Sequence, residues 1–248
     1  MAEGTISPRA HITNQKIAFW SKIIYLNLFG NGFIFVAGML PPPDPLLTGE
    51  QVRTMFIDRQ FAIQVGYLMM MFSIPFGYVF AGYLGRLVAD IEGKWGVLAT
   101  TTMLSQFSTY LLLGVSSLWW ELLAFRPEAY TADSMLIFHD LVWLSFILLV
   151  PPTLPMYVTL AIAAFQDRSP NPIFPRWYGY LNAWAVVLFL GGVGCEFFYD
   201  GPFAWDGLFA IYIPMADFFI WVVCTLTLIW KYIKRQERAL DVATAATV

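Results

Sequence analysis

The chain alternates long apolar runs with short polar connectors, and each run is long enough to cross a bilayer. A transmembrane helix needs about 20 consecutive, mainly apolar residues. The connectors are rich in turn-forming residues, as in the stretch Asp200-Gly201-Pro202. This pattern predicts six membrane-spanning helices, which we place at residues 17–40, 60–85, 95–119, 135–165, 177–197 and 207–231.

The predicted fold is therefore all-α, a polytopic membrane bundle of six transmembrane helices in a single domain. The first 16 residues are polar, and the run that follows them is too long for the core of a signal peptide. We expect a cytoplasmic polar tail at residues 1–16, the transmembrane domain at residues 17–231 and a second cytoplasmic tail at residues 232–248.

Composition supports a membrane protein and excludes several other classes. Of the 248 residues, 58% are hydrophobic and only 12% are charged, against about 25% charged in an average soluble domain. The formal net charge of -3 argues against nucleic acid as a partner. We expect membrane lipid to be the immediate surroundings of the helices.

The basic residues predict the orientation of the bundle. With six spans, both termini share one side with two of the loops, and that side carries eleven Lys and Arg residues, while the other carries three. Cytoplasmic loops are enriched in Lys and Arg, so we expect cytoplasmic termini. The eleven are Arg9, Lys16, Lys22, Arg86, Lys94, Arg168, Arg176, Lys231, Lys234, Arg235 and Arg238, and the three are Arg53, Arg59 and Arg126.

Polar side chains recur at helical spacing within the runs, which suggests a polar interior shared by several helices. Residues three, four and seven apart lie on one face of a helix. One interpretation is simple interhelical contact, since such hydrogen bonds are worth about 0.6 kcal/mol each on average. The other is a ligand site, for which the candidates are Asn27, Asn31, Gln106, Asn182, Asp217 and Trp221.

Asp217 is the strongest of these candidates. It lies about ten residues into the last run, and a carboxylate at such a depth costs about 2.5–3.5 kcal/mol on insertion scales. No Lys or Arg is expected at the same depth. We predict that Asp217 faces the bundle interior and touches an amide side chain, a water molecule or a ligand.

Prolines predict an irregular helix in the fourth run, where Pro151, Pro152 and Pro155 fall within five residues. Each proline lacks an amide donor and leaves a carbonyl group without its helical partner. A short unwound stretch is the expected result, and broken helices of this kind are typical of binding sites in transporters.

A second candidate site lies at the outer ends of the third, fourth and fifth runs. It consists of Glu121, His139, Asp140 and Glu196. Histidine and carboxylates can bind a metal ion at the outer face, or the four can be unrelated residues at helix ends. No other cofactor is expected, because the only histidines are His11 and His139 and no lysine lies in the middle of a predicted span.

Two strings in the last third of the chain carry a resemblance. They run from Asp167 to Trp177 and from Gly201 to Gly207. They resemble a group of uncharacterised multi-span bacterial membrane proteins, and the resemblance covers about residues 120–232. It implies a location in the bacterial cytoplasmic (inner) membrane and carries no function.

Three functions remain open from the sequence. The leading hypothesis is a membrane protein that binds or transports a lipophilic small molecule through an intramembrane pocket. The alternatives are an accessory subunit of a larger membrane enzyme complex, which would contact other membrane subunits or copies of itself, and a membrane enzyme with a metal site at the outer face.

Overall fold

A computed structural model describes residues 6–246, and every regular element in that part of the chain is a helix. Residues 1–5 and 247–248, the ends of the two expected tails, lie outside the described residues. The main helices are α1 (Pro8–Gly30), α2 (Gly49–Asp58), α3 (Gln60–Glu92), α4 (Val97–Phe125), α5 (Ala132–Ile147), α6 (Val150–Gln166), α7 (Arg176–Leu190) and α8 (Ile213–Ala245).

Short helical segments extend or join these helices. Wider, π-type turns continue α1 through Asn31–Val36 and precede α8 at Leu208–Tyr212, and tight 3₁₀ turns lie at Pro127–Ala129, Gly191–Glu196 and Gly201–Phe203.

Five stretches within residues 6–246 are long and apolar enough to cross a membrane. They are Pro8–Val36, Gln60–Glu92, Ala132–Gln166, Arg176–Glu196 and Gly201–Ala245. These helices support the prediction of a membrane bundle, although one of the six predicted spans, at residues 95–119, does not meet the same standard. That span corresponds to α4, whose Thr, Ser and Gln106 side chains lower its mean hydropathy.

α1 begins earlier than the hydrophobic pattern indicates. Ser7 caps its first turn by accepting a hydrogen bond from the amide of Ala10 at 3.2 Å, and Pro8 occupies the first helical position, where no amide donor is needed. Part of the expected polar tail is therefore helical, and Lys22 lies well inside the helix.

The last helix is also longer than the predicted span, because α8 continues to Ala245. Its polar end packs against the start of α1, where Lys16 forms an ion pair with Glu237 and Gln15 donates a hydrogen bond to Gln236 at 2.7 Å. Phe19 and Trp230 pack nearby with ring centroids 4.8 Å apart. The first and last helices are thus joined along the halves that lie nearest to the chain termini.

The fourth run is interrupted as predicted, but the break lies just before the prolines, at residues 148–149, and Pro155 stays inside α6. α5 ends at Ile147 and α6 begins at Val150, so that Pro151 and Pro152 occupy the first turn of α6. A proline is tolerated there because the first amides of a helix have no intrahelical acceptor.

A side-chain hydroxyl of α4 forms hydrogen bonds with the backbone of α6 just after this break. The Ser105 hydroxyl donates to the carbonyl of Pro152 at 2.5 Å and accepts from the amide of Met156 at 3.1 Å. It therefore stands between a carbonyl and an amide four residues apart, which would bond directly in a regular helix. Thr109 and Thr153 form a second contact between the two helices, at 2.8 Å.

We expect Ser105→Ala to lower the stability of the protein by about 1–3 kcal/mol, because it leaves buried backbone groups without a partner. Ser108→Ala is the matched control, since Ser108 bonds only to the carbonyl of Leu104 in its own helix. Unfolding in mixed micelles measures both variants. Equal stability of the two would show that α6 closes its own hydrogen bond.

Candidate functional site

One face of α1 and of the segment that continues it forms the wall of an internal cavity. The residues on this face follow helical spacing and are large and mainly aromatic. They are Lys22, Tyr25, Leu26, Phe29 and Phe33.

The cavity lies at the centre of the bundle and has a volume of about 240 Å³. Its other walls come from the middle of α4, the α5–α6 break, the end of α7 and the N-terminal half of α8. Thr109, Thr153 and Met156, which adjoin the break, all line it. Most of the wall is apolar, and the polar groups are few.

Lys22 is the one charged residue among those that line the cavity, and only 1% of it is exposed. Its ammonium donates a hydrogen bond to the hydroxyl of Tyr110 at 3.0 Å. Four aromatic rings surround the same nitrogen, with centroids at 4.8–5.3 Å. They belong to Tyr25, Phe80, Tyr110 and Phe218, which come from α1, α3, α4 and α8.

This position corrects two expectations about Lys22. It does not lie at the cytoplasmic boundary, so it leaves the group of eleven basic residues there and ten remain. It also stands beside Phe218, the chain neighbour of Asp217, so a lysine does lie at the depth of that carboxylate. The feature of the sequence that could have indicated a buried Lys22 is the row of aromatic residues that follows it along α1.

Asp217 faces the bundle interior, as predicted, with 5% of the residue exposed. It lies between Pro214 and Trp221, which both line the cavity, but it does not itself line the cavity. One of its carboxylate oxygens, Oδ2, is buried and has no hydrogen-bond partner. No amide side chain among residues 6–246 forms a hydrogen bond with Asp217, and the predicted contact with a water molecule or a ligand stays a prediction.

Three other predicted residues lie in or beside the cavity wall. Gln106 lines the cavity, and its buried side-chain oxygen has no hydrogen-bond partner. Trp221 also lines the cavity and donates from its indole nitrogen to Oδ1 of Asn182 at 3.0 Å. Asn182 is fully buried and donates in turn to the carbonyl of Tyr178 at 2.7 Å. It holds the Trp221 ring in place from behind.

Asn27 and Asn31 do not belong to the site. Asn27 is exposed, and the Asn31 amide donates to both the carbonyl and the side-chain oxygen of Asn27, at 2.7 and 3.1 Å. The reason is helical geometry, because Asn27 follows Leu26 by one residue and therefore points about 100° away from the cavity-lining face. The two amides satisfy each other on the outside of the bundle.

The four candidate metal ligands do not form a metal centre. Within residues 6–246, no three His, Cys, Asp or Glu side chains come together to hold a metal ion. His139 points inward, with its ring 5.6 Å from that of Trp205, whereas Glu196 is exposed at the end of a 3₁₀ turn. Asp140 follows His139 by one residue and so leaves the helix in another direction, and Glu121 is half-buried on α4.

We infer that the cavity reaches the outside of the bundle between α1 and α8, because Phe219 of α8 is the most exposed of the residues that line it. Three cavity-lining residues of α1 and of the π-type segment that continues it, spaced four apart, are half-exposed: Leu26, Gly30 and Ile34. On α8 the corresponding residues are Met215, which is half-exposed, and Phe219, which is 49% exposed. These five residues, which we call the lateral opening, lie beyond the part of α1 that packs against Trp230.

No protein family, curated protein or solved structure matches this chain. The resemblance of residues 120–232 to bacterial membrane proteins therefore stays a prediction, and the arguments about function depend on the geometry of the cavity.

We expect Gly77→Ala to disturb the contacts of Lys22, because the new methyl group would displace Tyr110, which accepts a hydrogen bond from the Lys22 ammonium. A Cβ atom at Gly77 would lie 2.7 Å from the ring of Tyr110, which must then shift away from α3. The cost should be about 1–3 kcal/mol of stability, as for other overpacked interiors.

Gly82→Ala in the same helix is the matched control, because a Cβ atom there meets nothing within 4 Å. It should leave stability unchanged or raise it by up to about 1 kcal/mol, since alanine favours helix over glycine. Unfolding of the two variants under one set of conditions measures the difference. A Gly77→Ala protein as stable as Gly82→Ala would contradict the close packing of Tyr110.

Proposed function

We propose that this protein is a six-helix bundle of the cytoplasmic membrane that binds or transports a lipophilic small molecule through its central cavity. The single observation that carries the proposal is an apolar cavity that opens sideways between α1 and α8. Ligand sites are typically concave and mostly apolar, with a few polar groups that fix orientation. The buried amide of Gln106 and the ammonium of Lys22 are such groups.

The lateral opening favours a ligand that arrives from the lipid phase. In a membrane-spanning bundle, half-exposed apolar residues within two predicted membrane spans face acyl chains rather than water. A molecule dissolved in the bilayer can therefore reach the cavity without crossing a layer of water. Phe219 and Met215 are large and apolar, which suits contact with such a molecule.

α4 is the helix that we add to the other five spans to make six. It has 29 residues and no charged residue before Glu121. It runs antiparallel to α3 from end to end, because Gly85 packs on Met103, Gly77 on Tyr110, and Gln60 donates to the carbonyl of Ala124 at 2.9 Å. A helix that follows a membrane-spanning neighbour over this length crosses the same thickness.

The proposed orientation has both termini in the cytoplasm. It is supported by the ten basic residues that remain on that side after Lys22 is removed from the group, against three on the other. Two of those three, Arg53 and Arg59, donate to backbone carbonyls of Glu128 and Ala37 at 2.9 and 2.8 Å. They help to hold the outer loops together.

Cysteine labelling tests the six spans. In a background with Cys195 and Cys224 replaced by serine, we expect Glu128→Cys and Asp200→Cys to react with an impermeant maleimide on intact cells. Lys94→Cys should react only after permeabilisation. If Lys94→Cys and Glu128→Cys react from the same side, α4 does not cross the membrane.

Photolabelling tests the cavity itself. An eight-carbon alcohol that carries a diazirine should label residues of α1, α4 and α8 that line the cavity, and unlabelled octanol should compete. Gly30→Leu should abolish this labelling, because Gly30 belongs to the lateral opening and a leucine side chain there would fill that opening. The substitution should not disturb the fold, since a Cβ atom at Gly30 meets no atom within 4 Å.

Gly82→Leu is the control for the added side chain, since Gly82 is equally uncrowded but does not line the cavity. The probe should label Gly82→Leu to the same extent as it labels the wild type. Labelling that is confined to exposed residues, or that survives Gly30→Leu unchanged, would show that the cavity is not a binding site.

A further inference from the structure

We propose that the ligand of the cavity is an amphipathic anion, with an acidic group that pairs with Lys22 and an apolar body that fills the remaining space. This inference depends on the proposed function and adds the chemical class of the ligand. It starts from the incomplete surroundings of the Lys22 ammonium.

The Lys22 ammonium lacks a negative partner. Among residues 6–246 it forms no ion pair within 4.0 Å, and its hydrogen bond to Tyr110 uses only one of its three N–H bonds. Asp217, the nearest buried carboxylate along α8, does not reach it. A buried charge without a partner is costly, and most such charges in proteins are paired.

The aromatic rings around Lys22 prepare the site for a cation but do not replace an anion. Rings attract an ammonium through their electron-rich faces, which favours a charged lysine in this apolar setting. They offer no oxygen to the two remaining N–H bonds. A ligand carboxylate has two acceptor oxygens and supplies both the missing charge and the missing acceptors.

The rest of the cavity matches the other end of such a ligand. Beyond Lys22 the wall is mainly apolar and continues to the lateral opening at Gly30 and Phe219. An amphipathic anion dissolved in the bilayer can therefore enter with its acidic head first and leave its tail in the apolar part of the cavity. A cavity of 150 Å³ holds benzene, so one of about 240 Å³ holds about ten non-hydrogen atoms by proportion.

Three photoreactive probes with one eight-carbon chain test the charge preference. They are the diazirine forms of octanoate, octanol and octylamine, of which the acid has ten non-hydrogen atoms before the diazirine is added. In the wild-type protein in nanodiscs, the acid should half-saturate cavity labelling at a concentration at least about tenfold below that of the alcohol. The amine should label less well than the alcohol.

Lys22→Met tests the residue, because methionine retains the unbranched apolar chain and removes the charge. The acid should then label no better than the alcohol, and circular dichroism of the variant in nanodiscs checks that it is folded. Lys94→Met replaces an exposed lysine in the turn after α3 and should change the labelling by neither probe. Lys22→Arg should keep the preference for the acid.

The outcomes separate this inference from the proposed function. If acid and alcohol label the cavity equally in the wild type, or if Lys22→Met retains the preference for the acid, the anion is not the ligand class but the cavity still binds lipophilic molecules. If Lys22→Met fails to fold, the order of the three probes on the wild type decides alone. If no probe labels the cavity, the proposed function itself is wrong.

Discussion

The ammonium of Lys22 is the constraint around which the centre of the bundle is arranged. It cannot be left in an apolar interior without compensation, and the compensation comes from four helices at once, through the rings of α1, α3, α4 and α8 and the hydroxyl of Tyr110. The central cavity lies beside this group, and Lys22, Tyr25, Tyr110 and Phe218 all line it.

The broken helix on the other side of the cavity obeys the same rule for backbone groups. Inside a bilayer every amide and carbonyl must find a partner, and prolines at the start of α6 remove some of the usual ones. The hydroxyl of Ser105 donates to the carbonyl of Pro152 and accepts from the amide of Met156 there, and the pair Thr109 and Thr153 joins the helices next to it. Some of the polar residues that lower the mean hydropathy of α4 thus form hydrogen bonds with α6.

The candidate site could be predicted only in part. Asp217 and Trp221 share one side of the last helix in the sequence pattern, and the structure places that side against the interior. Asn27 and Asn31 have equally good spacing, yet they lie outside and bond to each other. Spacing shows which residues share a face, but it cannot show which face meets the neighbouring helices.

The sequence by itself determined the class of protein and the positions of the long helices, because the length and hydropathy of a run set whether it can cross a bilayer. It also marked the helix break, since proline acts through local backbone chemistry. Only the tertiary structure decided that Lys22 lies inside the bundle and that Glu121, His139, Asp140 and Glu196 stay apart. Those outcomes depend on the rotation and depth of each helix, which packing between distant segments sets.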